Sequence, residues 1–91
     1  MVETKLLLEN DRVKVMEVRI LPKEKMGMHT HPPYIVYTIK GAKLKFTFPN
    51  GSSREVETKN GEANFTNGIT HAIENIGTTE MVSIDIELKQ S

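Results

Sequence analysis

The stretch Met26-Gly27-Met28-His29-Thr30-His31-Pro32-Pro33-Tyr34-Ile35-Val36-Tyr37-Thr38-Ile39-Lys40-Gly41 holds two of the chain's three histidines, two residues apart and just ahead of a strand-like apolar run. In an extended segment side chains at i and i+2 leave the same face, so His29 and His31 aim at a common point with a spacing of roughly 7 Å along the strand. The third histidine, His71, lies forty residues beyond His31. Pro32-Pro33 interrupts pairing, and the β-branched and aromatic run from Tyr34 to Lys40 ends at Gly41.

Upstream, Lys5 to Glu9 is an apolar run closed by the turn signal Asn10-Asp11, a first strand and a candidate edge. From Arg12 to Leu21 the apolar positions are Val13 and Val15, then Val18 and Ile20. The change of parity at Met16-Glu17 predicts a β-bulge there. Pro22 ends this strand, and Lys23-Glu24-Lys25 leads into the histidine segment. Met26 and Met28, by alternation from His29, are expected on the face away from the histidines.

Downstream, Ala42 to Phe48 alternates, with Leu44, Phe46 and Phe48 on one face and Lys43, Lys45 and Thr47 on the other. Gly41 is expected at positive φ in the turn before it. Pro49-Asn50-Gly51-Ser52-Ser53 is the strongest turn signal, because Asn-Gly suits a tight hairpin. Short strands follow from Glu55, from Glu62 to Thr66 and from Thr70 to Asn75, the last with His71 and Ile73 on one face. In the final strand Val82, Ile84, Ile86 and Leu88 alternate with Met81, Ser83, Asp85 and Glu87. Eight or nine short strands and no helical pattern predict an all-β fold, an antiparallel sandwich or small barrel closed against exposed edges, in one domain spanning residues 1–91.

A chain of 91 residues with 37% hydrophobic content sits near the lower limit for a self-sufficient core, so an ion or a partner subunit would add stability. The absence of cysteine excludes disulfides, thiolate nucleophiles and Cys-based zinc sites, and suits a reducing cytosol. No apolar run approaches the roughly 18 residues needed to span a bilayer, and Met1-Val2-Glu3-Thr4-Lys5 has no secretory pattern. A soluble cytoplasmic protein is expected. Twelve basic and twelve acidic side chains cancel, which argues against nucleic acid as a partner. The exposed-looking Leu6-Leu7-Leu8 instead suggests a homodimer.

These residues resemble the cupin superfamily. Its first motif runs glycine, five residues, His-x-His, three or four residues, glutamate, six residues, glycine; its second runs glycine, five residues, Pro-x-Gly, two residues, His, three residues, Asn. His29, His31 and Gly41 fit the first motif; Gly61, Gly68, His71 and Asn75 fit the second with one residue fewer and Thr66 in the proline place. The resemblance covers about Arg12 to Lys89 and implies a double-stranded β-helix, or jelly roll. The motif glutamate is missing, since its place falls on Ile35 or Tyr34, and Lys23 stands where the opening glycine would be. The chain is thus similar to small single-domain cupins without that carboxylate, a group spanning enzymes and plain binding proteins.

Three neutral imidazoles suit Fe(II), Ni(II), Cu(II) or Zn(II), with positions left for water or a small-molecule ligand. Such a centre serves either a metal-dependent enzyme of oxygenase, isomerase or lyase type acting on a small polar metabolite, or a non-catalytic binding module with a vestigial or metal-free histidine pocket. Tyr34, Ile35, Tyr37 and Phe46 are the candidate pocket residues. Tyr34 is the only acid or base expected beside the histidines. Asn75 reads as a turn-fixing hydrogen-bonder.

Overall fold

Each segment between turn signals forms a strand in the computed structural model, which describes residues 2–89. The strands are β1 (Glu3–Glu9), β2 (Val13–Ile20), β3 (Lys25–His31), β4 (Tyr34–Lys40), β5 (Lys43–Thr47), β6 (Ser53–Glu57), β7 (Ala63–Thr66), β8 (Ile69–Asn75) and β9 (Met81–Leu88). They pair antiparallel into a five-stranded sheet, in the order β1-β2-β9-β4-β7, and a four-stranded sheet, in the order β3-β8-β5-β6. The two face each other as a flattened barrel, in agreement with the all-β expectation. No helix of the described residues is long and apolar enough to cross a membrane.

Two bulges decide which side chains face inward. The slip expected in β2 lies in its neighbour: β2 runs along β9 in unbroken register from Val13 to Ile20, and the irregularity falls in β1 between Leu6 and Leu8. The parity change in β2 has another origin. Met16, Val18 and Ile20 face the interior, whereas Val13 and Val15 belong to an apolar outer face. The second bulge is in β3, where Met26 pairs with Ile73 and His29 with His71, so that residues 27 and 28 stand against a single residue of β8. This shift of one residue turns Met26 inward beside the histidines, correcting the expectation from simple alternation.

The interior is apolar at one end. Val18, Ile20, Ala42, Leu44 and Met81 form the buried cluster, with Met26, Phe46, Val56 and Ile73 packed against it. Each fully buried aliphatic side chain contributes about 1.5–3 kcal/mol, and so small a set is supplemented by a polar lock. Asn75 is fully buried; its Nδ2 donates to the Ile20 carbonyl at 2.9 Å and the Thr79 carbonyl at 2.8 Å, while its Oδ1 accepts from Gly77 N at 3.0 Å. One side chain thus ties the ends of β2 and β8 to the turn before β9, the role its sequence position suggested.

The longest alternating strand turns its apolar set outward. Met81, Ser83, Asp85 and Glu87 of β9 line the interior, while Ile84 and Ile86 join an outer rib in which Leu8, Val15, Ile86, Ile35 and Phe65 stand in register across all five strands. Val82, also outward, is buried because its ladder neighbours Arg19 and Lys40 both reach Glu80, at 2.8 and 3.4 Å.

One turn position differs from expectation. Gly41 is absent from the positive-φ residues, which include Gly61 (φ 79°) and, among non-glycines, Lys23 (φ 73°). Gly41 is required by crowding: a Cβ there would overlap the Thr58 carbonyl. Lys23 follows Pro22 in a turn closed by Glu24 N donating to Leu21 O at 3.0 Å, the third position of a type II turn, where glycine fits best. The left-handed region costs a side-chain-bearing residue about 1–2 kcal/mol, partly offset by the lower entropy of its unfolded state. Lys23→Gly should therefore stabilise the protein by about 0.5–1 kcal/mol, whereas Gly41→Ala should destabilise it by more than about 1 kcal/mol. Urea midpoints of the two variants measure both, and shifts of the opposite sign would contradict these assignments.

Candidate metal centre

Between the sheets, running from the apolar cluster to the histidines, lies a cavity of about 630 Å³. His29 and His31 enter it from β3 and His71 from β8, directly opposite His29 in the ladder. One nitrogen from each ring can be chosen so that all three lie within 4.8 Å of one another. The rings meet edge to face, with centroids of 4.6 Å for His29 and His31 and 4.8 Å for His29 and His71.

The hydrogen bonds define which nitrogens are available. Nδ1 of His29 lies 2.7 Å from the Gly27 carbonyl; a carbonyl only accepts, so Nδ1 carries the proton and Nε2 of the neutral ring carries the lone pair. Nδ1 of His31 lies 2.7 Å from Oε2 of Glu87, a contact that places the proton on Nδ1 and leaves Nε2 for the cavity. The β3 bulge supplies both the turn of His29 into the cavity and the carbonyl that orients it. Nε2 of His29 and both ring nitrogens of His71 are buried with no protein partner. Buried polar atoms are rarely left so, and one nitrogen from each of the three rings, gathered within 4.8 Å of one another, makes the cluster complementary to a cation. Metal–nitrogen bonds of about 2.1 Å place neighbouring nitrogens about 3–3.4 Å apart, so small ring rotations would close the set.

His71 is 1% exposed. Burial, with His29 and His31 adding to it, pushes its pKa down to about 4. Phe46 packs against its ring at 4.8 Å, and Tyr34 stacks on His31 at 4.3 Å with planes 14° apart. The Tyr34 phenol is pushed up to about 12 by burial, then by Asp85 and Glu87, and is a neutral donor.

Of the four pocket residues expected from sequence, Tyr34 and Phe46 line the cavity. Ile35 and Tyr37 do not: with Tyr34 inward, alternation sends both to the outer face, where Ile35 pairs with Ile86 and Tyr37 with Ile84. The acidic residues of β9 were missed. Asp85 and Glu87 enter the cavity from β9, so Tyr34 is not its only acid or base. Their apolar neighbours in the strand disguised this face as the exposed one. A cavity-facing Ser-x-Asp-x-Glu run in the last strand is a usable signal only once the facing is known.

No protein-family model and no curated protein matches the sequence. Among solved structures, a cupin domain from Bordetella pertussis Tohama I is 30% identical, covers 98% of this chain and 94% of its own, and superposes with a TM-score of 0.89. The chain belongs to the cupin superfamily. A cupin superfamily protein from Desulfitobacterium hafniense DCB-2 shares the fold at 15% identity, with a TM-score of 0.74 and coverage of 99% and 79%. A predicted oxalate decarboxylase from Thermotoga maritima is 27% identical, with a TM-score of 0.67 and coverage of 96% and 80%. In the present cupin the Tyr34 ring stacks on His31, and the carboxylate that touches a histidine, Glu87, comes from β9.

The neutral state of His71 predicts a pH dependence. An unfolded histidine titrates near 6.5, so between that value and about 4 the unfolded chain binds more protons than the folded one. The metal-free protein should keep this contribution in full above pH 6.5 and lose it as the pH falls towards 4. Asp85, raised by burial, acts in the opposite sense in the carboxylate range. Urea midpoints measured with a chelator present should fall from pH 7 to pH 4.5; a flat profile would contradict the buried neutral imidazole.

Proposed function

We propose that His29, His31 and His71 hold one divalent transition ion, Fe(II), Ni(II), Cu(II) or Zn(II), and that the cavity binds a small polar ligand beside it. The observation that carries this reading is the convergence of buried, unpartnered imidazole nitrogens, two of the rings being fixed in one tautomer by Gly27 and Glu87. Three nitrogen ligands without a carboxylate suit a borderline ion and leave positions for exchangeable groups. A bound ion would supply Lewis acidity or oxygen chemistry. Glu87 would orient His31 and raise its basicity, and Phe46 would hold the His71 ring in place. The presence in the cavity of Asp85 and Glu87 favours an enzyme over a passive binding module, because both carboxylates stand where protons can be given or taken.

Calorimetric titration of the chelator-treated protein should show one equivalent of ion bound more tightly than about 0.1 mM, near −5.5 kcal/mol. Alanine at any of the three histidines should weaken binding sharply, and Glu87→Gln by about 10–100-fold. No uptake, or His71→Ala binding like wild type, would leave a metal-free binding pocket as the function.

For the outer face we propose a second copy of the chain. The rib from Leu8 to Phe65 keeps its two ends more than half exposed, and the flanking Glu17, Arg19, Lys40 and Glu80 carry both signs, as a two-fold interface that pairs each patch with itself requires. Sedimentation at micromolar concentration should give a dimer, and Ile86→Lys a monomer; a wild-type monomer would refute this.

A further inference from the structure

Asp85 occupies an unusual place. It is 9% exposed, and its ladder neighbours on both sides, Met16 and Val36, are apolar. Its single hydrogen bond is from Ser83 Oγ to Oδ1 at 3.0 Å. Among the described residues no lysine or arginine reaches it, and Oδ2 has no partner. A carboxylate taken out of water is unfavourable unless paired. Burial outweighs the help that Ser83, His31 and His29 give this carboxylate, and Glu87, two residues along the same face, adds to the negative potential. The histidines and the Asp85 carboxylate both face the same cavity.

We infer that Asp85 is the recognition site for a protonated amine of the ligand, so that the cavity takes a small molecule with an ammonium group at one end and a metal-binding carboxylate at the other. The second half of this inference rests on the metal reading proposed above; the first half does not. A hydroxyl would satisfy the geometry of Oδ2 but leave the charge uncompensated, and Ser83 already provides one. An ammonium group cancels the charge of a carboxylate that is 9% exposed, which makes the interaction strong and selective. Among the other walls, the apolar Met16, Val18, Val36, Phe46 and Ile73 suit a short run of methylenes between the two ends.

The test compares probes of matched length. In chelator-treated protein, butylammonium should bind at least tenfold more tightly than 1-butanol, read by shifts of the Met16 and Met81 methyl resonances. In Zn(II)-loaded protein, 4-aminobutyrate should bind at least tenfold more tightly than butyrate by calorimetry. Asp85→Asn, which keeps the shape of the side chain, should bring both ratios to within about twofold. Equal binding of amine and alcohol by wild type, a comparison needing no variant, would overturn the inference, as would a preference that survives in Asp85→Asn. An amine preference in the metal-free protein together with no uptake of Zn(II) would keep the Asp85 assignment and remove the histidine centre.

Discussion

The β3–β8 ladder, with His29 set directly opposite His71, is the contact on which the site depends. Side chains alternate faces along a strand, so slipping this pairing by one residue would move His71 out of the cavity. The register is held from both ends. At the core end Lys23 N donates to the Asn75 carbonyl at 2.8 Å and Asn75 N to the Glu24 carbonyl at 3.0 Å; on the outer side Thr30 and Thr70 share a hydroxyl hydrogen bond at 2.9 Å. Between them the bulge at residues 27 and 28 absorbs one residue, allowing Met26 to pack in the core while His29 and His31 face the cavity.

The barrel therefore has two functional halves along its length. Near Asn75 it is closed and apolar, and there the stability resides. Near His31 and Glu87 it is open, polar and occupied by groups that are unfavourable to bury: unpartnered imidazole nitrogens, the Thr66 hydroxyl without a partner and the Asp85 carboxylate. A small domain pays for such groups with stability it can hardly spare. Ligands that complete them would bind the folded state alone and shift the folding equilibrium in its favour.

Much of this was legible in the sequence. The turn signals at Asn10-Asp11 and Asn50-Gly51 separate strands close to their observed bounds, and His29, His31 and His71 are brought together as the motif spacing implied. Facing was harder to read. In β9 and β2 the apolar residues are divided between a true core and an outer rib, so hydrophobicity did not mark the inside, and Asp85 and Glu87 were passed over. For the same reason Ile35 and Tyr37 were assigned to a pocket from which they point away. Gly41 illustrates a different limit, since its need for glycine comes from a strand-to-loop approach by Thr58, seventeen residues away, that no local pattern encodes.

The central proposal is that His29 and His31, oriented by Gly27 and Glu87, join His71 in one metal centre without a protein carboxylate in the coordination shell. X-ray absorption at the metal edge, on protein loaded with one equivalent of Zn(II), tests it most directly. The account predicts about three imidazole nitrogens at about 2.0–2.1 Å, with the outer-shell scattering of histidine rings. A shell of oxygens with one imidazole or none would contradict it.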